Sequence, residues 1–345
     1  MDISRFQYDL PAELIAEFPS EPRDASKLLI IDRQTGSLKH KKFYEIADIL
    51  SSSDLLVVND TKVFPAKLAG KKRPAGAALD ILLLKRASGK DESLWEALVK
   101  PLKRVRRGTL ITFEGGKLSG EVAEKLHDRV IIKFHFEGNF SEVMENTGEV
   151  PLPPYIKRKQ IPEDKGWYGT VYAEKDGSIA APTAGFHFTK ELMATLKKKG
   201  VAMVALTLHV GWGTFKPVRK NDIRDHRLEP EFYSISKESA EIINKAKKKK
   251  NRIIAVGTTT TRVLETVAGK DGEVRPGEGY TDKFIYPGYE FRVIDGIITN
   301  FHLPRTTLLM LVCAFAGMDK TLRAYECAVE KRYRFYSYGD AMLVL

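Results

Sequence analysis

The sequence predicts an α/β main domain interrupted by an inserted all-β, barrel-like domain, and three observations predict it. Apolar strands alternate with amphipathic helices up to about Phe64, the rhythm then breaks into short segments of period-two alternation, and it resumes after a proline-rich stretch. The expected division is residues 1–64 for the first part of the α/β domain, 65–150 for the insert and 151–345 for the second part.

KLLIID and DLLVVND read as buried strands with a helix, FYEIADIL, between them. Then come AKLAG, ALDILLLKR, LWEALVK, TLITFEGG, KLSGEVAEKL and RVIIKFHF, six segments separated by closely spaced Gly, Pro, Asp and Lys. Such spacing suits a small barrel. PLPPYIKRK follows as a connecting strap. Beyond it, helix TKELMATLKKKG leads into strand VAMVALTLHVG, and helix KESAEIINKAKKKK leads into strand NRIIAVG, so the α/β pattern has returned. The longest apolar run, in TTLLMLVCAFAG, is far shorter than the ~20 residues that span a bilayer and reads as a buried helix.

With 345 residues, 43% hydrophobic and 29% charged, the chain has globular composition and room for two domains. Its first residues, MDISRFQYDLPAELIAEFP, lack the basic flank and apolar stretch of a signal peptide. Two cysteines, Cys313 and Cys327, have neither metal-ligand nor redox spacing, which fits a reduced cytoplasmic compartment. Net charge is +11, a surplus suited to a polyanionic partner. The lysines at 197–199 and 247–250 end helices and complement the dipole there. KPLKRVRRG lies between strands instead, so Lys103, Arg104, Arg106 and Arg107 are candidate phosphate contacts, joined by Lys157 and Arg158 in the strap.

Polar residues crowd the strand ends of the second half. AVGTTTTRVLE, residues 255–265, joins a strand to a helix through Gly257, Thr258, Thr259, Thr260 and Thr261. One cap needs one hydroxyl. The remainder, with Arg262 and the positive helix end, would seat an oxyanion, although a plain cap explains part of the pattern equally well. APTAGFHFT carries Thr183, Phe186, His187 and Phe188; LTLHVGWGTFKPV ends a strand with His209; and RDHRLEPEFYSI holds His226 and Glu229. GIITNFHLPRTT contributes Asn300 and His302, and RFYSYGDAMLVL contributes Tyr338 and Asp340. If their strands are parallel, these groups gather beyond one sheet edge, where open α/β sheets bind ligands. No His or Cys spacing supports a metal site, and none is expected.

VVNDTKVFPAKL, PTAGFHFT, HVGWGTFKPV, HRLEPEFYSI, AVGTTTTRVLE, FIYPGYEFRVIDGIITNFHLPRTTLLMLVCAFAG and YSYGDAMLV, in that order, resemble the S-adenosylmethionine:tRNA ribosyltransferase-isomerase family of queuosine biosynthesis across nearly the whole chain. The resemblance implies an α/β domain with an inserted barrel. It also implies transfer and isomerisation of the ribosyl group of S-adenosylmethionine onto 7-aminomethyl-7-deazaguanine at the tRNA wobble position, giving epoxyqueuosine and releasing adenine and methionine. S-adenosylmethionine is then a substrate, no cofactor is expected, and the partner is a tRNA carrying the precursor base. A cytoplasmic monomer is expected. Under this reading His187, His209 and His302 are candidate acids or bases, with Glu229 and Asp340 as carboxylate alternatives. Thr183, Asn300, Tyr338, Gly257, Thr258, Thr259, Thr260 and Arg262 are candidate substrate contacts, the last five around a methionine carboxylate or a tRNA phosphate. Phe186 and Phe188 are candidates for stacking on adenine. An RNA-binding protein without catalysis explains the charge but leaves the histidine-bearing turns idle. A methyltransferase expects a glycine-rich turn after the first strand, where RQTGS stands instead.

Overall fold

The structure is a computed structural model that describes residues 1–74, 76–87, 91–215, 218 and 220–345. Lys216 and Pro217 of the HVGWGTFKPV segment lie outside the described residues. In chain order the first part contains β1 (Lys27–Ile31), β2 (Leu38–Lys42), α1 (Ile46–Ile49), β3 (Asp54–Asn59) and β4 (Thr61–Val63). Six strands follow: β5 (Lys67–Lys72), β6 (Ala78–Arg86), β7 (Leu94–Lys100), β8 (Leu110–Phe113), β9 (Leu118–Lys125) and β10 (Val130–Phe136). After α2 (Phe140–Thr147) and α3 (Asp164–Trp167) come β11 (Lys175–Ser178), α4 (Lys190–Lys198), β12 (Ala202–Leu208), β13 (Glu231–Ile235) and α5 (Lys237–Lys248). The chain closes with β14 (Arg252–Val256), α6 (Thr258–Val267), β15 (Gly277–Thr281), β16 (Gly296–Asn300), α7 (Thr307–Ala316), α8 (Met318–Glu330) and β17 (Ala341–Val344).

The insert is a closed barrel in the order β10-β7-β6-β5-β8-β9, antiparallel throughout. Its inward positions alternate with outward ones, as in LWEALVK, where Trp95, Ala97 and Val99 are buried. The chain enters and leaves this barrel at one place: Lys67 and Glu149 exchange two backbone hydrogen bonds of 3.1 and 2.8 Å. Phe64 before the barrel stacks on Trp95 inside it at 5.3 Å, and Trp95 stacks on Phe140 of α2 after it at 5.6 Å. Those three rings weld the insert's two ends to its core.

The main sheet has nine strands in the order β15-β13-β12-β3-β14-β16-β17-β1-β2. Its middle four, β12, β3, β14 and β16, run parallel. Two of them, β3 and β14, are buried along most or all of their length, as parallel strands covered on both faces must be. β17 runs antiparallel to β16, pairing Ala341 with Asn300, so the start of β17 lies beside the carboxyl ends of the parallel strands. The start of β1 lies there too, because β1 is parallel to β17. One sheet edge therefore collects Asn59, His209, Gly257, Asn300, the 336–340 turn and Ser26.

Two expectations are modified. FYEIADIL forms a 3-10 turn at Phe43–Glu45 and a single helical turn, α1, in place of an amphipathic helix. The sheet also gains the antiparallel strands β2, β13, β15 and β17. LKHKK and GEGYT carry no apolar alternation by which β2 and β15 would be read. Among the described residues no helix is long and apolar enough to cross a membrane.

Candidate active site

At the carboxyl edge of the parallel strands a cleft opens to solvent. Chain direction places it where open α/β sheets bind ligands: β3 hands on to its neighbour β12, and β14 to β16 on the opposite side. One wall is the start of α6. Gly257 is the N-cap, at φ +98, a conformation that favours glycine, and no side chain caps the helix. The first N–H groups of α6 therefore have no intrahelical acceptor and face the cleft beside Thr258 and Thr259.

The four threonines divide by task. Thr260 and Thr261 bond back to the carbonyls of Val256 and Gly257 at 2.7 and 3.1 Å, leaving their hydroxyls unavailable to a ligand. Thr258 and Thr259 line the cleft, and Asn59 contacts Thr259 Oγ1 at 3.4 Å while holding Leu208 through both its amide atoms. Arg262 lies deeper, in a buried ion pair with Glu231, whose other oxygen accepts the Gly211 N–H at 2.7 Å. Arg262 and the exposed Glu229 border a second, smaller hollow, and Leu308 lines both.

Asn300, at the end of β16, is the hub of the opposite wall. Its Oδ1 accepts from Thr183 Oγ1 at 3.1 Å, and its amide group reaches His187 Nε2 at 3.2 Å and the Tyr336 carbonyl at 3.1 Å. His302 lines the cleft with its Nε2 2.9 Å from Thr299 Oγ1. Its backbone is fixed on both sides, the N–H by Tyr325 Oη and the carbonyl by Tyr8 Oη. Tyr336 completes the rim at φ +74, an uncommon conformation for a residue with a side chain. Gly339 makes that turn possible: a Cβ there would lie 2.5 Å from the Arg334 carbonyl oxygen.

Thus Thr183, Gly257, Thr258, Thr259, Asn300 and His302 share the cleft. His209 stands at its edge, 2.8 Å from Thr61 Oγ1 and stacked on Phe232 at 5.5 Å, while the next residue, Val210, lines the cleft. His187 is behind Asn300, between it and Ser26 Oγ at 2.8 Å, and borders a separate hollow with Phe186 and Tyr338. Several expectations are corrected by geometry. Phe188 is wholly buried between Phe43 and Tyr172 and has no face for adenine. Phe186 packs against Tyr168 and Tyr338, away from the cleft. Asp340 accepts the Lys27 and Arg334 N–H groups at 2.8 and 2.7 Å, so it ties the start of β1 to the segment before β17; burial raises its pKa, partly offset by those bonds. Arg158 grips Asp164 through two bonds of 2.8 and 2.6 Å and lies over Phe18, so its charge is neutralised internally. Lys103, Arg104, Arg106, Arg107 and Lys157 are exposed, and among the described residues none of these side chains forms an ion pair.

The sequence reading did not single out Asn59, Tyr155, Tyr168 or Thr299. Asn59 ends an apolar strand just as Asn300 does, so the same signal would have found it. Tyr155 and Tyr168 sit in irregular segments with no periodicity to mark their direction.

Residues 3–344 match the family described as queuosine biosynthesis protein. The chain belongs to that family. It is 53% identical over 345 residues to the S-adenosylmethionine:tRNA ribosyltransferase-isomerase of Carboxydothermus hydrogenoformans, covering 100% of both chains. With the protein of the same name from Caldanaerobacter subterraneus subsp. tengcongensis it shares 50% over 346 residues, again 100% of both. The crystal structure of a Thermotoga maritima S-adenosylmethionine tRNA ribosyltransferase is similar at 39% identity and a TM-score of 0.56, over 99% of this chain and 100% of that one.

In this member of the queuosine biosynthesis family, burial pulls the imidazoles of His187 and His302 down to about 3, with Arg334 and Arg23 adding to the effect at His187. Both rings are neutral at pH 7. Because the folded values lie below the ordinary 6.5, the unfolded chain takes up protons that the folded chain refuses as pH falls. Stability present above pH 6.5 is therefore lost progressively as pH falls from 6.5 toward 3. A thermal midpoint that drops between about pH 7 and pH 5, and drops less steeply in His187→Gln, is expected; equal slopes in the two proteins would contradict the assignment.

Proposed function

We propose that this protein transfers and isomerises the ribosyl group of S-adenosylmethionine onto 7-aminomethyl-7-deazaguanine in the anticodon of a tRNA, yielding epoxyqueuosine, adenine and methionine. The observation that carries the reading is the gathering of family segments, distant in sequence, around one cleft: PTAGFHFT, AVGTTTT, TNFHLP and YSYGD all contribute lining residues.

The chemistry begins with loss of a proton from the carbon beside the sulfonium, which the positive sulfur acidifies. His302 is the base this geometry favours, since of the three histidines proposed for the role it alone lines the cleft. Its low pKa does not disqualify it. Proton transfer turns a sulfonium and a neutral imidazole into a neutral ylide and an imidazolium, so the buried site holds one positive charge before and after. The methionine carboxylate is placed against the uncapped start of α6, where backbone N–H groups and the Thr258 and Thr259 hydroxyls supply donors. Asn300, fixed by four neighbours, holds the opposing wall still.

The tRNA backbone is assigned to the barrel's basic connector. Changing Lys103, Arg104, Arg106 and Arg107 together to alanine is expected to weaken tRNA binding and to flatten its salt dependence by about 3 in logarithmic slope, at roughly 0.7–0.9 per phosphate. Arg158→Ala should leave that slope unchanged and lower thermal stability, because its partner is the buried Asp164. An unaltered slope in the fourfold variant would move the tRNA elsewhere. For the activity itself, the protein is incubated with S-adenosylmethionine and precursor tRNA. Free adenine supports ribosyl transfer, S-adenosylhomocysteine would show methylation, and the absence of both would reduce the protein to a binder.

A further inference from the structure

Tyr168 lines the cleft, is 2% exposed, and carries a hydroxyl with no hydrogen-bond partner among the described residues. A buried phenol in that state is uncommon, because an unmade hydrogen bond leaves the cost of desolvating the group uncompensated. Its ring is held edge-on by Phe186 at 5.6 Å and by Tyr338 at 6.2 Å, so it has little freedom to seek a partner. Burial raises its pKa, with the Ala181 backbone opposing the shift, so it remains a donor throughout the working range.

The surroundings define what would meet that donor. Tyr155 and Tyr336 line the same cleft with their rings edge to face at 3.8 Å, and Tyr155 Oη is anchored by Ser337 Oγ. With Ala181 and Ala184 on the wall, aromatic and apolar side chains make up this part of the lining, the kind of surface on which a flat heterocycle packs. Two heterocycles take part in the proposed reaction. Adenine presents bare ring nitrogens, N1, N3 and N7, which accept hydrogen bonds. The 7-deazaguanine base has carbon at position 7, and each acceptor it keeps, O6 and N3, lies next to an N–H donor at N1 or N2 that would need an acceptor of its own. A lone donor in an apolar slot therefore matches adenine better, most simply at N3, which has no N–H group beside it.

Resting on the activity proposed above, we infer that Tyr168 is a catalytic residue that donates a hydrogen bond to a ring nitrogen of adenine. That bond strengthens as the glycosidic C–N bond breaks and its electron pair passes into the purine, so it acts on the departure of adenine more than on binding. The phenol keeps its proton throughout, and the adenine anion that leaves with the electron pair is protonated by water.

Two arms test this. In the first, Tyr168→Phe keeps the ring and removes the hydroxyl; the rate of adenine release is expected to fall by roughly 10- to 100-fold, with the KM for S-adenosylmethionine changing less than about threefold. In the second, the unaltered enzyme is given S-adenosylmethionine analogues with carbon in place of N1, N3 or N7. One analogue should be slowed comparably, and Tyr168→Phe should impose no further loss on that analogue alone. Release by Tyr168→Phe within about twofold of the parent, or losses that simply multiply for all three analogues, would overturn the inference. Should the variant fold poorly, the analogue series with the unaltered enzyme decides: three unimpaired analogues refute it. The activity reading fails separately, when the unaltered enzyme releases no adenine from S-adenosylmethionine itself.

Discussion

His302→Ala is expected to lower the rate of adenine release by roughly 10²–10⁴-fold, the range that a positioned acid or base contributes. Substrate affinity should change little, because the imidazole acts on a proton and not on a charged anchor. The prediction is specific to this histidine. His302 lines the cleft, with Thr299 Oγ1 at 2.9 Å setting its ring orientation, whereas His187 reaches the cleft only through Asn300. His187→Ala should therefore act through the position of Asn300 and show itself first as lost stability. Single-turnover measurements with saturating tRNA separate the two cases. Turnover by His302→Ala within about threefold of the parent would remove it as the base.

Asn300→Ala carries the largest expected effect on the fold around the site. The amide joins Thr183 on one side with His187, Tyr336 and Ser337 on the other. Its removal leaves the buried His187 Nε2 and the Tyr336 and Ser337 carbonyls without this partner, and a partly satisfied buried network costs more than its separate bonds suggest. A loss of about 3 kcal/mol is expected, read as a lower urea midpoint at unchanged slope. The Tyr336 turn, already held at φ +74, should lose definition with it, so activity falls beyond what the stability loss explains. Unfolding within about 0.5 kcal/mol of the parent would show that the network is not tense in this way.

The barrel was readable because its strands turn an apolar residue or a glycine inward at every second position: LWEALVK does so at Trp95, Ala97 and Val99, and KLSGEVAEKL at Leu118, Gly120 and Val122. The parallel strands were readable as unbroken apolar runs. What escaped notice was polar or glycine-rich: β2 and β15 are held by pairing with better strands and have no pattern of their own. Within the site, the sequence marked which turns carry chemistry but not which way each side chain faces. Phe186 and Phe188 illustrate this, since both follow the cleft residues 181–184 in the same short segment, yet one packs against Tyr338 and the other against Phe43. Depth behind a wall is a property of packing, and a motif of nine residues does not encode it. Asp340 shows the same limit: a carboxylate next to a strand is as useful for receiving backbone N–H groups as for catalysis, and here it receives two.

The central claim is that S-adenosylmethionine occupies the cleft between the start of α6 and the Tyr336 rim. A crystal structure of the complex with S-adenosylmethionine and a precursor anticodon stem-loop tests it most directly. The account predicts the methionine carboxylate on the Thr258 and Thr259 N–H groups, adenine beside Tyr168, and His302 within reach of the carbon next to sulfur. S-adenosylmethionine bound outside that cleft, or bound with its sulfonium carbon turned away from His302, would contradict it.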